Sequence, residues 1–278
     1  MAIDIKDGYA VIAAGGDFEP EFIKIDFKES DFIGNSENDD SDMPGLFDLG
    51  GEHAIKLYDE ADEITLIVPM RFSLVKPVSI SQAAIKTYGD EFLKWEAFQQ
   101  LPEELGRFTF GFNKLAESYD SKVIKYMYYA VPSDFIEVLK DFAAPDSAKK
   151  ISLDSEAMGQ FNMINHITNS SSFCTAISLE HDGASIVISN NGDFLSGRFI
   201  GREKSNLADE IAFYIMGHAS EGITPQALIC GDLNQLDAIG KISWAEMLNV
   251  PESISKIKKP ELVPTGVFAA VAGLLMSK

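Results

Sequence analysis

The sequence predicts an α/β protein made of two related halves, each a mixed sheet with helices packed against it. Three observations predict this. Residues 3–25, IDIKDGYAVIAAGGDFEPEFIKI, and residues 177–200, ISLEHDGASIVISNNGDFLSGRFI, carry one pattern twice: apolar run, Asp-Gly, apolar run, Gly-Asp-Phe, apolar run. The order β-β-β, α, β, α then recurs in each half, which gives sheets with both antiparallel and parallel pairs. A chain of 278 residues is also long enough for one large or two ordinary domains with full cores.

Each copy of the pattern reads as a three-stranded meander. Its runs are short and rich in β-branched and aromatic residues, and Asp7-Gly8 and Asp182-Gly183 supply the positive-φ residues of tight hairpins. Gly16-Asp17-Phe18 corresponds to Gly192-Asp193-Phe194. From Ser30 to His53 the chain carries seven acidic residues and no Lys or Arg, which predicts a solvated loop. Calcium is the functional reading of so many carboxylates, but the alternating ligand spacing and central glycine of an EF-hand are missing.

The run ITLIVPMRFSLVKPVSI, residues 64–80, predicts two strands joined or bent at Pro69 and Pro77. A helix capped by Ser81 follows, with Ala84, Ile85, Tyr88, Phe92, Trp95 and Phe98 at helical spacing until Pro102 and Gly89 in its middle. FTFGF (108–112) and VIKYMYYAV (123–131) read as strands, the second central because both faces are apolar. Phe135, Val138, Leu139 and Phe142 mark a helix over 134–143, and Ala157, Phe161 and Ile164 mark another from about Ser155 towards Ile167. After the second meander, Ser205 caps a helix with the stripe Leu207, Ile211, Ala212, Ile215 and Met216. The strand ALIC ends at Gly231-Asp232, a short helix covers 233–239, a polar segment carries Lys256, Lys258 and Lys259, and an apolar helix covers 266–276.

Composition narrows the function classes. Lys+Arg 23 against Asp+Glu 43 gives a net charge of -20, which argues against nucleic acid and anionic lipid as partners. Cys174 and Cys230 fit a reducing compartment as isolated core thiols, the alternative being a disulfide between them. The N-terminus lacks the basic-then-apolar signature of a signal peptide, and the longest apolar run is too short for a bilayer. The expectation is therefore a cytoplasmic protein. No GxxxxGK[ST], GxGxxG, HExxH, paired CxxC or GxSxG is present, and His53, His166, His181 and His218 are scattered, so no metal site is expected. Asn169-Ser170-Ser171-Ser172 reads as a linker.

Two such halves resemble the actin-like ATPase superfamily, in which the first hairpin of each half holds an ATP phosphate and a Gly-rich turn of the second half holds the adenosine. IVPMRFSLVKPVSI, KWEAFQQLP (94–102), SDFIEVLKDF, LDSEAMGQFNMI and LVPTGVFAAVAGLLM, in this order, are similar to PilM of type IV pilus assembly and to its relative, the cytoplasmic domain of the type II secretion protein GspL. The resemblance implies an actin-like fold of two RNase H-like domains. The first spans 1–155, with a small inserted subdomain at about 76–131 and a C-terminal helix, 262–278, joined to it. The second spans 156–261.

The nucleotide motifs depart from that family. Asp4 and Ile5 are in place, but Lys6 and Asp7, ahead of Gly8, stand where the first phosphate loop has Gly and Ser. The second loop reads Ser178, Leu179, Glu180, then Asp182, Gly183 and later Ser185. It lacks the carboxylate for Mg-bound water and the glycine that lets backbone N–H groups approach phosphate. Glu180 near a triphosphate costs roughly 1 to 4 kcal/mol at effective dielectrics of 80 to 20. The adenosine turn has become Gly231-Asp232-Leu233. A lysine at position 6 offers a compensating charge that Asp7 opposes. The preferred reading makes Asp4, Lys6, Asp182 and Ser185 ordinary hairpin residues and the chain a scaffold without ATP or Mg as a working cofactor. The alternative is an active Mg-ATP-binding ATPase of the same superfamily.

By the same resemblance, PilM binds the N-terminal cytoplasmic peptide of the membrane protein PilN, in a groove between the first subdomain and the inserted one. That implies a PilN-like partner, attachment to the inner membrane through it, and a groove lined by Val68, Pro69, Trp95 and Phe98. Trp95 and Phe98 have a second reading as core residues. An extended peptide with alternating apolar side chains suits such a groove, and an acidic rim favours one carrying Lys or Arg.

Overall fold

The computed structural model describes residues 1–6, 9–14, 21–26, 46–101, 105–115, 122–143, 149–168, 172–202, 206–231 and 244–248. In chain order the elements are β1 (Ala2–Lys6), β2 (Tyr9–Ala14), β3 (Glu21–Asp26), α1 (Leu46–Glu60), β4 (Glu63–Val68), a 3₁₀ turn (Met70–Phe72), β5 (Leu74–Ser81), α2 (Gln82–Tyr88), α3 (Asp90–Gln100), β6 (Phe108–Lys114), β7 (Val123–Pro132), α4 (Ser133–Ala143), β8 (Lys150–Ser155), α5 (Glu156–Thr168), β9 (Phe173–Glu180), β10 (Gly183–Asn190), β11 (Asp193–Gly201), α6 (Leu207–Met216), β12 (Gln226–Gly231) and β13 (Glu246–Met247).

Two five-stranded sheets have the same order, β3-β2-β1-β4-β8 and β11-β10-β9-β12-β13. In each, the meander pairs antiparallel while its first strand pairs parallel with the next strand along the chain. The two-half α/β architecture with a meander opening each half is thus the observed fold. A third sheet, β5-β7-β6, stands between β4 and α4 in the chain, with β7 at its centre. Pro77 sits in β5, an edge strand, where its missing N–H breaks no ladder bond.

Strand alternation builds three layers of core. Ile3 and Ile5 of β1 face an outer cluster with Leu46, Phe47, Ala54 and Tyr58 of α1 and Ile136, Leu139, Phe142 and Ala143 of α4. Phe173, Ile177 and Leu179 of β9 face the matching outer cluster, closed by Leu207, Ile211 and Ile215 of α6. The opposite faces meet in one inner core: Ala2, Val11, Ala13 and Ile67 from the first sheet, Cys174, Ala176, Val187 and Cys230 from the second, with Ala157, Phe161 and Ile164 of α5 among them. Both cysteines are free and buried there, as isolated thiols.

Several expectations are corrected. Residues 46–60 are helical, not part of an acidic loop; Leu46, Phe47, Ala54 and Tyr58 give α1 a buried stripe, interrupted by a kink at Gly51 (φ 71°). The helix expected after Ser81 is two helices broken at Gly89 (φ 56°), and the Ser81 side chain makes no capping bond. In α4 the buried stripe runs through Ile136, Leu139, Phe142 and Ala143, leaving Val138 exposed. Asn206, not Ser205, caps α6, accepting from Ala208 N. Strand β8 had no counterpart in the sequence reading. The second meander's positive-φ turn is Asn191-Gly192 (φ 50° and 80°), whereas Gly183 already belongs to β10. There a Cβ would lie 2.2 Å from Ile200 O, so close strand packing rather than turn conformation requires that glycine. The loop over 30–45, the 16–18 turn, Ser205, the helices at 233–239 and 266–276 and the lysines between them lie outside the described residues.

Candidate functional site

The inner faces of β1 and β9 turn polar towards their C-terminal ends. On β1 the inward residues are Ala2, Asp4 and Lys6; on β9 they are Ala176, Ser178 and Glu180. Lys6 and Glu180 therefore hold matching positions on the central strands of the two halves. The strands bring them together, with Lys6 Nζ 3.7 Å from Glu180 Oε1 and 3.7 Å from Asp4 Oδ2. Lys6 Nζ also donates to Glu156 Oε1, at the first residue of α5.

Glu156 is the centre of this network. Its Oε2 accepts from the Met70 backbone N–H at 2.8 Å, and its Oε1 accepts from Gln160 Nε2 at 2.8 Å. Ser185 Oγ on β10 donates to Glu180 Oε1 at 2.8 Å and lies 3.4 Å from Glu156 Oε2. All of these side chains are buried. Asp4 has neither oxygen within hydrogen-bond reach of a donor, and Glu180 Oε2 likewise accepts nothing. Burial pushes the Asp4 carboxyl up to about 7, the ammonium of Lys6 opposing that rise and the carboxylates of Glu156 and Glu180 adding to it. Burial also raises Glu180, with Glu156 adding to the rise and Lys6, the Ser185 hydrogen bond and Arg71 opposing it.

Four expected site residues thus converge: Asp4, Lys6, Glu180 and Ser185. Reading Asp4, Lys6 and Ser185 as ordinary hairpin residues is corrected, because each is buried in this network. Ser178 lies beside it on β9, packed against Gly231. Gly231 has φ 82°, and a Cβ there would lie 2.3 Å from Leu179 O, so this glycine serves the close approach of β12 to β9. Asp182 stands apart at the exposed turn, paired with Arg71 at 3.2 Å. Asp7, Gly8 and Asp232 lie outside the described residues. Sequence reasoning missed Glu156, which there looks like an ordinary first-turn acid of α5.

Three carboxylates surround one buried ammonium, and a Cβ on Gly183 would meet Ile200 O and the Phe199 ring. Among the described residues no group of His, Cys, Asp and Glu is arranged to hold a metal ion.

A second feature lies at one end of the small sheet, where β7 leads into α4. Arg107, Phe108, Pro132, Ser133 and Asp134 line an open cleft of about 530 Å³. It lies at the end of the β6–β7 ladder, where Phe108 pairs with Pro132, and at the start of α4, where Thr109 Oγ1 and Ser133 Oγ are 3.2 Å apart. Among the described residues, no strand pairs with the outer edges of β6 or β8, and Asn113 Nδ2 bridges these two strands through Asp154 Oδ1 at 2.9 Å. Val68 and Pro69, expected in a groove, are buried beneath α4 and the 3₁₀ turn and offer no surface. Trp95 and Phe98 are neither core residues nor part of this cleft. They are about half exposed on α3, which packs on the small sheet through Ala97, Phe92 and Leu93.

The repeated strand order, with a small sheet inserted in the first half, defines the actin-like ATPase fold. A PilM–PilN type IV pilus biogenesis complex superposes on this chain with a TM-score of 0.66 at 12% identity, covering 99% of this chain and 97% of that one. A Bacteroides thetaiotaomicron protein with an actin-like ATPase fold and unknown function gives 0.56 at 10% identity, covering 100% and 95%. The cytoplasmic domain of EpsL, an inner-membrane component of the type II secretion system of Vibrio cholerae, gives 0.52 at 9% identity, covering 100% and 94%. At these identities the likeness is one of fold. The PilM-like, actin-like architecture expected from the motif order is the one found. No family description and no curated protein matches the chain. Among the described residues no helix is long and apolar enough to cross a membrane.

Proposed function

We propose that this chain is an actin-like adaptor of a type IV pilus or type II secretion platform. It acts on the cytoplasmic face of the inner membrane and holds the N-terminal peptide of a PilN-like membrane protein without needing a bound nucleotide. The observation that carries the reading is the open cleft at the end of the β6–β7 ladder, in which β6 has an edge that no strand pairs among the described residues, on a fold shared over nearly its whole length with a PilM–PilN complex.

An extended peptide entering that cleft gains backbone hydrogen bonds from the β6 edge and apolar contact from Phe108, Pro132 and the neighbouring pair Phe72–Phe135, whose rings are 4.4 Å apart. Arg107 and Asp134 at its rim set the register of charged side chains. The net charge of -20 favours a peptide that carries Lys or Arg. Nucleotide binding is weak or lost, because a triphosphate entering the Lys6 network would meet Asp4, Glu156 and Glu180 together. Phosphoryl-transfer catalysis, which relies on positioned positive charge, has no support from such a set.

The test is isothermal titration with a synthetic N-terminal cytoplasmic peptide of a PilN-like membrane protein. Binding is expected to be equal with and without Mg-ATP, weakened at least tenfold by Phe108→Ala, and weaker in high salt. A peptide that binds only with Mg-ATP, or binds Phe108→Ala as tightly as the parent, would overturn the reading.

A further inference from the structure

The boundary between the halves is electrically one-sided. Lys6 on β1, Arg71 after β4 and Lys125 on β7 all belong to the first half and the small sheet. Their partners across the boundary, Glu180, Asp182 and Asp193, all belong to the second meander. Arg71 and Lys125 make exposed pairs at 3.2 and 2.6 Å, which contribute little alone. Lys6 differs because its ammonium is buried, and a buried cation without its counter-charge is strongly unfavourable. Around this seam the packing is direct: a Cβ on Gly197 of β11 would lie 3.2 Å from Met70 Cε and 3.4 Å from Val75 Cγ1.

We propose that Lys6 and Glu180, at matching positions on the central strands of the two halves, form a built-in clamp that holds the halves together across the buried seam. The clamp rests on the nucleotide-independent reading given above and deepens it. Glu156 fixes the ammonium, Ser185 orients Glu180, and the Met70 N–H and Gln160 fix Glu156, so the polar partners come from α5, β10 and the 3₁₀ turn after β4. The unpartnered oxygens of Asp4 and Glu180 show that acceptors outnumber donors here, which leaves Lys6 as the cation that compensates them.

The matching positions supply a direct test, in which the pair is reversed. Spin labels on Lys56→Cys of α1 and Phe213→Cys of α6, both exposed, report the distance between the halves by double electron–electron resonance; the native cysteines are buried. The parent is expected to give one narrow distance that Mg-ATP does not change. Lys6→Glu is expected to broaden it and lower Tm by roughly 10 °C. The reversed pair, Lys6→Glu with Glu180→Lys, is expected to recover the narrow distance and most of the loss. Should Lys6→Glu fail to fold, a folded reversed chain carries the same conclusion, and Lys6→Met supplies the intermediate. A narrow distance in Lys6→Glu, or a reversed chain no better than the sum of the single changes, overturns the clamp. These readouts need no peptide, and a parent chain that binds Mg-ATP would instead count against the adaptor reading.

Discussion

Asp4 and Lys6 are two residues apart on one strand, and their burial sets the acid–base behaviour of the seam. Asp4 faces Lys6, Glu156 and Glu180, and its carboxyl is raised to about 7 from an ordinary 3.8. Between those values the folded chain holds a proton that the unfolded chain has released, so this group's contribution to stability falls as pH rises through the window and is lowest above about 7. Glu180 shifts in the same direction and adds to the trend. Asp4→Asn removes the Asp4 part. Urea unfolding across the window should show this variant gaining on the parent as pH rises, by on the order of a few kcal/mol above neutrality. A parallel pair of pH profiles would contradict it. Lys6→Met leaves three carboxylates without their ammonium and should cost about 3–5 kcal/mol, read from the urea midpoint at constant m-value.

At the scale of elements, the close packing of β12 on β9 makes a sharp prediction. Gly231→Ala places a methyl group 2.3 Å from Leu179 O at a backbone with φ 82°, and should destabilise by roughly 2 kcal/mol or more in thermal unfolding. The elements easiest to read in the sequence were those with strong local signals. The meanders, β7 and the stripes of α5 and α6 carry a period of two or of 3.6 over enough residues to stand out. Helix α1 was hidden because its buried stripe is split by Gly50-Gly51 and diluted by acidic residues that seemed to continue the loop before it. Its C-terminus is fastened from a distance: Lys149 Nζ donates to the carbonyls of Tyr58, Asp59 and Ala61. No window of sequence around α1 records that. Strand β8, KISLDS, is short and half-buried, and only its pairing with β4 makes it a strand. The site divides in the same way. Asp4, Lys6, Glu180 and Ser185 were legible because they fall on the duplicated pattern. Glu156 was not, since nothing local distinguishes a buried first-turn acid from a solvated one. The cleft lining was missed because Phe108 and Pro132 meet only through the pairing of β6 with β7, with Asp134 joining them at the turn into α4.

For the whole molecule, the two halves share one inner core and one polar seam. The buried seam holds its own cation among three carboxylates, and the open cleft lies at the end of the β6–β7 ladder. The central claim is that nucleotide has no part in this protein's work. Isothermal titration of the intact chain with Mg-ATP and Mg-ADP at millimolar concentration tests it most directly. The account predicts no measurable heat of binding and no shift in Tm, while micromolar binding of either nucleotide would contradict it.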